Sequence, residues 1–426
     1  MSAYWRETGA TDSIAPPEGA EAQALAGARQ RAGKMWQAFF LGSVIMAILA
    51  LTLLLYNIID QAFGLVALQA TVEPETLAVD GVPLPRLSKE QLVDILRKYV
   101  PAGVVRRLES EQSLLTRTRE DVYDLVMERV VQMQVLKSWP LHTSVVARGS
   151  IHAEMREKYP AAELSFRSWL TPQFLTRSQS GTPSLAGVRT AVLGSLLTIA
   201  ITILAGFPLG VGAAIYLEEY AQPSMWRRVV QANISNLAGV PSIIYGMLGL
   251  AIFVRTLEPL TSGSLLGVAD PTTANGRTVL SAGLTLALLI LPLMIINAQE
   301  AIRAVPRSLR YASYALGATR WQTTWHHVLP SALPGILTGS ILAMSRAIGE
   351  TAPLVVVGAS TFVALDPSGP FSKFTTLPIQ IYQWTSRPQE QFRNIAAAAI
   401  LVLLFLLLTL NTTAVLLRNR YGGRQS

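Results

Sequence analysis

Two residues of opposite charge, Arg346 and Glu350, stand in a 24-residue segment, 335–358, that carries no other charge. In a bilayer each costs about 2.5–3.5 kcal/mol on insertion scales, so such side chains are kept for a purpose. Four residues apart on a helix, they share a face and can neutralise each other. Arg346 can offer its planar fork of donors to an oxyanion. Glu350 can hold that fork when no anion is present. The plainer alternative is an ion pair that only fixes helix packing. Thr351, Ser242, Tyr245 and Asn297 are further polar candidates for the same path, and each reads first as a helix-packing group.

A second constellation is basic and aromatic. The segment 300–334 holds Arg303, Arg307, Arg310 and Arg320 among Tyr311, Tyr314 and Trp321. It could cap a helix pair or dock a partner. A nucleotide-hydrolysing loop requires Gly-Lys followed by Ser or Thr, but the one Gly-Lys pair, Gly33-Lys34, precedes Met35. No Gly-x-Ser-x-Gly elbow is present either, so no catalytic residue is assigned and any energy source must lie in a partner. The chain has no Cys and four His, and the adjacent His326 and His327 suit a basic loop better than a metal site.

The elements that must position these residues follow from composition. Of 426 residues, 50% are hydrophobic and 15% charged, well below the roughly 25% charged of a soluble domain. The uncharged run 36–58 is long enough, at ~1.5 Å per residue, to cross a ~30 Å hydrocarbon core. Further apolar runs at 188–217, 237–254, 279–296, 335–358 and 395–417 make six spans. Pro208, Pro241, Pro292 and Pro353 fall inside them, as membrane helices tolerate. Arg29, Arg31 and Lys34, the 300–334 arginines, and Arg418, Arg420 and Arg424 all flank spans on one side. That places both termini in the cytoplasm of a multi-pass membrane protein. The net charge of +8 is then a topology signal, not a nucleic-acid one, and the spans contact membrane lipid.

The expected organisation is therefore a cytoplasmic tail (1–35), a first span (36–58), an outward insertion (60–186), a core of five further spans (187–417) and a short tail (418–426). The insertion balances 15 basic against 15 acidic residues, as a soluble domain would. Ser88 and Gln91 form a capping-box pattern, and Val122, Leu125, Val126, Val130 and Met133 recur at helical spacing. A small helical domain is expected there, and the whole chain reads as an all-α integral membrane protein.

Tyr311-Ala312-Ser313, then Gly317 and Ala318, Arg320 and Trp321, then His327-Val328-Leu329-Pro330 resemble the coupling loop of ABC-importer permeases. It departs from the family at Tyr311, usually Glu, and at His327, usually aliphatic. The run Arg346-Ala-Ile-Gly349-Glu350-Thr351-Ala-Pro353-Leu354 is similar to the A-type permeases of the high-affinity phosphate importer, the Pst system, as is Ala238 to Gly246. The resemblance implies half of a path for inorganic phosphate and a short helix near Gly317 to Trp325 that docks on an ATPase. It also implies a related second permease (PstC-like), two ATPase subunits (PstB-like) that bind ATP and Mg, an external phosphate-binding protein (PstS-like), and no cofactor in this chain. The alternatives are a permease for another oxyanion or a phosphonate, or a membrane-anchored sensor or scaffold that uses the outward domain.

Overall fold

The computed structural model describes residues 20–422 except 80, 112–113, 115–116, 132, 269–275, 360–362 and 364–365. The chain divides into two compact units, Met1–Asn57 and Ile58–Ser426. Helix α1 (Ala20–Ala62) carries the first unit's apolar run, with no residue of its apolar window buried. Trp36 stacks on Phe40 at 5.8 Å and meets Phe39 edge-on at 5.9 Å.

The insertion is not wholly helical. The strands β1 (Phe63–Ala70), β2 (Met133–Pro140) and β3 (Glu163–Ser168) form an antiparallel sheet in the order β2-β1-β3. Gly64 faces both Pro140 and Arg167, and a bulge between Ala67 and Leu68 interrupts the β1–β2 register. Between β1 and β2 lie α2 (Lys89–Tyr99), α3 (Ala102–Glu111) and α4 (Arg119–Val126), with α5 (Leu141–Val146) and α6 (Arg148–Lys158) before β3. The Ser88–Gln91 capping box forms as expected, and a second one joins Thr118 to Asp121. This helical lobe closes over Leu84, Leu87, Leu92, Leu96, Val122 and Val126. The correction from an all-helical domain has a physical cause. β1 is buried on both faces over Leu65 to Ala67, so it shows an apolar run and not the alternation that marks a half-buried strand.

After α7 (Pro172–Thr176) come α8 (Arg189–Ile215), α9 (Met225–Ala238), α10 (Ser242–Gly249), the one-turn α11 (Glu258–Thr261) and α12 (Val279–Arg303). Then follow α13 (Arg307–Ala315), α14 (Arg320–Thr323), α15 (Leu329–Gly349), α16 (Ala352–Val357), α17 (Leu377–Thr385) and α18 (Glu390–Gly422). Helix α12 is central: two-thirds of its apolar window is buried. It packs on α8 through Ile290 and Met294 beside Gly206 and Gly210, and on α15 through Ala301 beside Gly335. Small residues at such seams let helices approach closely where no hydrophobic driving force exists between them.

Among the described residues, five helices are long and apolar enough to span a membrane, and a sixth span results if the bent pair α9 and Ser242–Thr256 is one. The third and fifth spans are therefore corrected: neither 237–254 nor 335–358 is one continuous helix. The 300–334 segment is also not a loop. Helix α12 runs through to Arg303, α13 follows, and residues 320 to 349 form one helical run.

Candidate functional site

Both helix breaks carry a proline. Within a continuous helix Pro241 and Pro353 would collide with the carbonyls of residues 237 and 349. Helix α9 instead stops at Ala238, and the chain turns by 105° into α10. The Tyr245 hydroxyl donates to the freed Leu237 carbonyl at 2.7 Å, so this side chain fastens the bend. Helix α15 stops at Gly349, with Glu350 in extended backbone (φ −75°, ψ 119°). The two interrupted segments then meet: a Cβ on Gly246 of α10 would lie 2.6 Å from Pro353 Cα of α16. Only glycine permits that approach.

Arg346 therefore occupies the last turn of α15, where its charge complements the helix C-terminus, and Glu350 lies just beyond it. Arg346 Nε contacts Glu350 Oε1 at 3.4 Å, with the two side chains 47% and 17% exposed. The pair forms as the spacing predicts, but across a helix end and not along one continuous face. Tyr245 packs in one buried cluster with Ala343 and Ala347, the neighbours of Arg346 on α15. Ser242 opens α10 and Thr351 precedes α16, both half-buried. Asn297 does not join them. Its amide donates to the Gly339 carbonyl at 3.4 Å, about two turns earlier along α15, where it binds α12 to α15. Arg277 was not singled out by sequence. Its side chain lies against Gly358, at the end of α16, and an isolated Arg directly before an apolar span was its signal.

The second surface is built by α13 and α14. Gly317 adopts φ +85°, a conformation that disfavours any side chain, and lets the chain reverse after α13. The Gly317 and Ala318 amides donate to the carbonyls of Tyr314 and Ser313. A Thr319–Gln322 capping box starts α14, and the Ser313 and Thr323 hydroxyls meet at 2.8 Å in the interior. Tyr311, Leu316, Trp321 and Trp325 are exposed, with the two tryptophans stacked at 5.4 Å. Ala312 and Arg320 are exposed beside them. Leu329 and Pro330 lie at the start of α15, where Leu329 packs with the buried Val328, Ala332 and Ile336. The turn 324–328, which includes His326 and His327, widens so that the Leu329 amide donates to the Thr324 carbonyl. Such a bulge relieves the clash that Pro330 would impose on a regular helix.

A carboxylate pair that sequence reasoning missed braces this surface. Glu219 accepts from Arg310 Nε at 3.1 Å and Nη2 at 2.7 Å. The same guanidinium donates to the carbonyls of Val305 and Ile302 at 2.8 and 2.9 Å. Glu218 pairs with Arg303 at 2.6 Å and Arg227 at 3.5 Å, and accepts from Gln299 at 3.0 Å. The end of the α8 segment is thereby tied to α9, α12 and α13. Two adjacent glutamates immediately after an apolar run, facing an excess of arginines elsewhere, were the available signal.

A family model described as "Binding-protein-dependent transport system inner membrane component" matches residues 206–422, leaving the insertion outside it. The chain is 34% identical over 263 residues to the phosphate transport system permease protein PstA 1 of Mycobacterium tuberculosis, covering 59% of this chain and 79% of that protein. It is 35% identical over 225 residues to the probable ABC transporter permease protein YqgI of Bacillus subtilis, covering 52% and 69% respectively. Among solved structures, the MetNI methionine ABC transporter in an inward-facing conformation is similar at 20% identity and a TM-score of 0.41, covering 55% of this chain and 97% of that one.

Proposed function

The chain belongs to the family of binding-protein-dependent transport system inner membrane components, and we propose that within it the chain forms half of an inorganic phosphate path. As a PstA-like permease it is a multi-pass, non-catalytic subunit of an ABC importer, with ATP hydrolysis in a separate subunit. In the proposed assembly a related permease supplies the other half of the path, and two ATPase subunits bind ATP and Mg. An external phosphate-binding protein delivers the solute. Both termini and the α13–α14 surface face the cytoplasm, because the flanking Lys and Arg lie on that side. The insertion faces outward.

The observation that carries the reading is the Arg346–Glu350 pair at the interruption of α15, in an otherwise uncharged segment. Arg346 keeps donors to spare for an oxyanion, and a tetrahedral anion suits its fork. Glu350 competes for the same donors, which limits how long the anion is held and favours its release. Exposed Tyr311, Trp321 and Trp325 around Gly317 provide the surface on which the ATPase docks. Phosphate uptake by cells carrying Arg346→Gln or Glu350→Gln tests the path, with sulfate and a phosphonate as competitors. Uptake is expected to fall at least about tenfold for Arg346→Gln, the loss of one charge-assisted contact, at unchanged membrane levels. Normal uptake by both variants overturns the assignment.

A further inference from the structure

The sheet of the insertion has a membrane end and a far end. β1 starts at Phe63, directly after α1, and Gly64 pairs with Pro140, the last residue of β2. The opposite ends of these strands, at Ala70 and Met133, lead to the helical lobe. α18 runs beside β2 in the same sense: the Gln391 amide donates to the Val135 carbonyl, and the Asn394 amide to Ser138 Oγ at 2.6 Å. Asn394 directly precedes the apolar run 395–417. Ser138 therefore stands level with the start of a spanning segment, and the chain from there to Pro140 descends about 7 Å further at ~3.3 Å per residue. Helix α5 begins at that depth.

What α5 exposes there is apolar. Val145 and Val146 are 71% and 85% exposed, more than any other large hydrophobic side chain among the described residues of the insertion. They cannot turn inward, because the opposite face of α5 is fixed. The buried Ser144 hydroxyl donates to the Pro140 carbonyl at 2.8 Å and accepts from the Leu65 amide at 2.9 Å. The His142 amide donates to Asp60 Oδ1 at 2.6 Å, which ties the start of α5 to the last turn of α1. On a helix the two residues after Ser144 point about 100° and 200° away from it. Facing water, these valines leave their burial unrealised. Facing a bilayer, the same exposure is an anchor.

Arg148 adds the polar half of that pattern. It opens α6, is exposed, and forms no ion pair among the described residues. Helix α6 climbs back along β2, where Glu154 pairs with Lys137 at 2.6 Å. Arg148 lies about 9 Å below Glu154 at 1.5 Å per residue, which returns it to the base of the sheet beside the valines. A guanidinium next to an apolar tip suits a lipid phosphate, with the apolar side chains on the acyl side of it. We propose that the α5–α6 corner is a membrane foot: Val145 and Val146 enter the nearer leaflet, the outer one in the orientation given above, and Arg148 binds a phospholipid phosphate. The foot holds the sheet, and the start of α18 bonded to it, at a set depth. The inference needs only that the chain spans a membrane, whatever solute it carries.

The chain has no cysteine, so Val146→Cys accepts a nitroxide label at that position alone. The purified full chain is labelled and placed in nanodiscs of phosphatidylcholine and phosphatidylglycerol. Accessibility of the label to oxygen, which concentrates in lipid, is compared with its accessibility to a water-soluble nickel chelate. Tyr99→Cys, at the exposed end of α2 in the helical lobe, is the aqueous control. The oxygen-to-nickel ratio is expected to be several-fold higher at position 146 than at position 99. Adding Arg148→Glu to the Val146→Cys chain is expected to lower that ratio, because lipid phosphate repels a carboxylate. Equal ratios at 146 and 99 overturn the proposal. So does a label at 146 shielded from both reagents, which makes the corner a contact between protein surfaces. A ratio left unchanged by Arg148→Glu overturns the headgroup contact.

Discussion

Two of the molecule's arginine–glutamate pairs look alike in composition and differ in burial and in the number of hydrogen bonds they make. Arg310 and Glu219, 16% and 6% exposed, are joined by three hydrogen bonds from Nε and Nη2, and the guanidinium also satisfies the carbonyls of Ile302 and Val305. Arg346 and Glu350 touch once, at 3.4 Å, with the arginine about half exposed. The first arginine has spent its donors on the fold. The second has kept them. A saturated pair can hold three helices in register but cannot bind anything else, whereas an unsaturated one can exchange its carboxylate for an anion.

That contrast is open to attack, beginning where the largest effect is expected. Glu219→Ala leaves the Arg310 cation enclosed without its carboxylate, and breaking such a pair costs about 3–5 kcal/mol. Denaturant unfolding of the detergent-solubilised chain measures it, and an unchanged midpoint would erase the distinction drawn between the pairs. Gly317→Val should cost about 1–2 kcal/mol, the penalty of a side chain in the left-handed region. Its sharper readout is loss of the ATPase partner on co-purification with helix content retained by circular dichroism. A fully retained partner would show that the brace formed by Arg310, and not the turn, presents the surface. The smallest effect is expected for Arg346→Gln, whose pair is partly solvated, with a stability change of about 0–1 kcal/mol. A loss comparable to that of Glu219→Ala would make both pairs structural.

The long uninterrupted spans were legible because hydropathy alone sets their position: α8, α12 and α18 fall where the apolar runs lie. Their interruptions were only half legible. Pro241 and Pro353 are as visible as Pro208 and Pro292, yet the latter two remain inside helices. What separates them is a tertiary partner, since the broken ends of α10 and α16 pack on one another at Gly246, and a single sequence does not reveal that pairing. The sheet was hidden for a related reason. β1 pairs with β2 and β3 from far along the chain, and its doubly buried centre shows no period of two. At the site, the spacing of Arg346 and Glu350 could be read directly, whereas Gly317 entered only through the coupling-loop resemblance and its left-handed backbone came with the fold. The Glu219 partnership needed the fold, because 91 residues separate it from Arg310.

The widened turn at 324–328 has a mechanical consequence. By absorbing Pro330 without a break, it leaves residues 320 to 349 as one helical run of 30 residues, about 45 Å at 1.5 Å per residue. Trp321, on the surface beside Gly317, and Arg346, at the interrupted end, are thus mounted on the same lever. A tilt of about 5° imposed at one end of a lever that long displaces the other by about 4 Å, enough to make or break a contact of the kind Arg346 makes with Glu350.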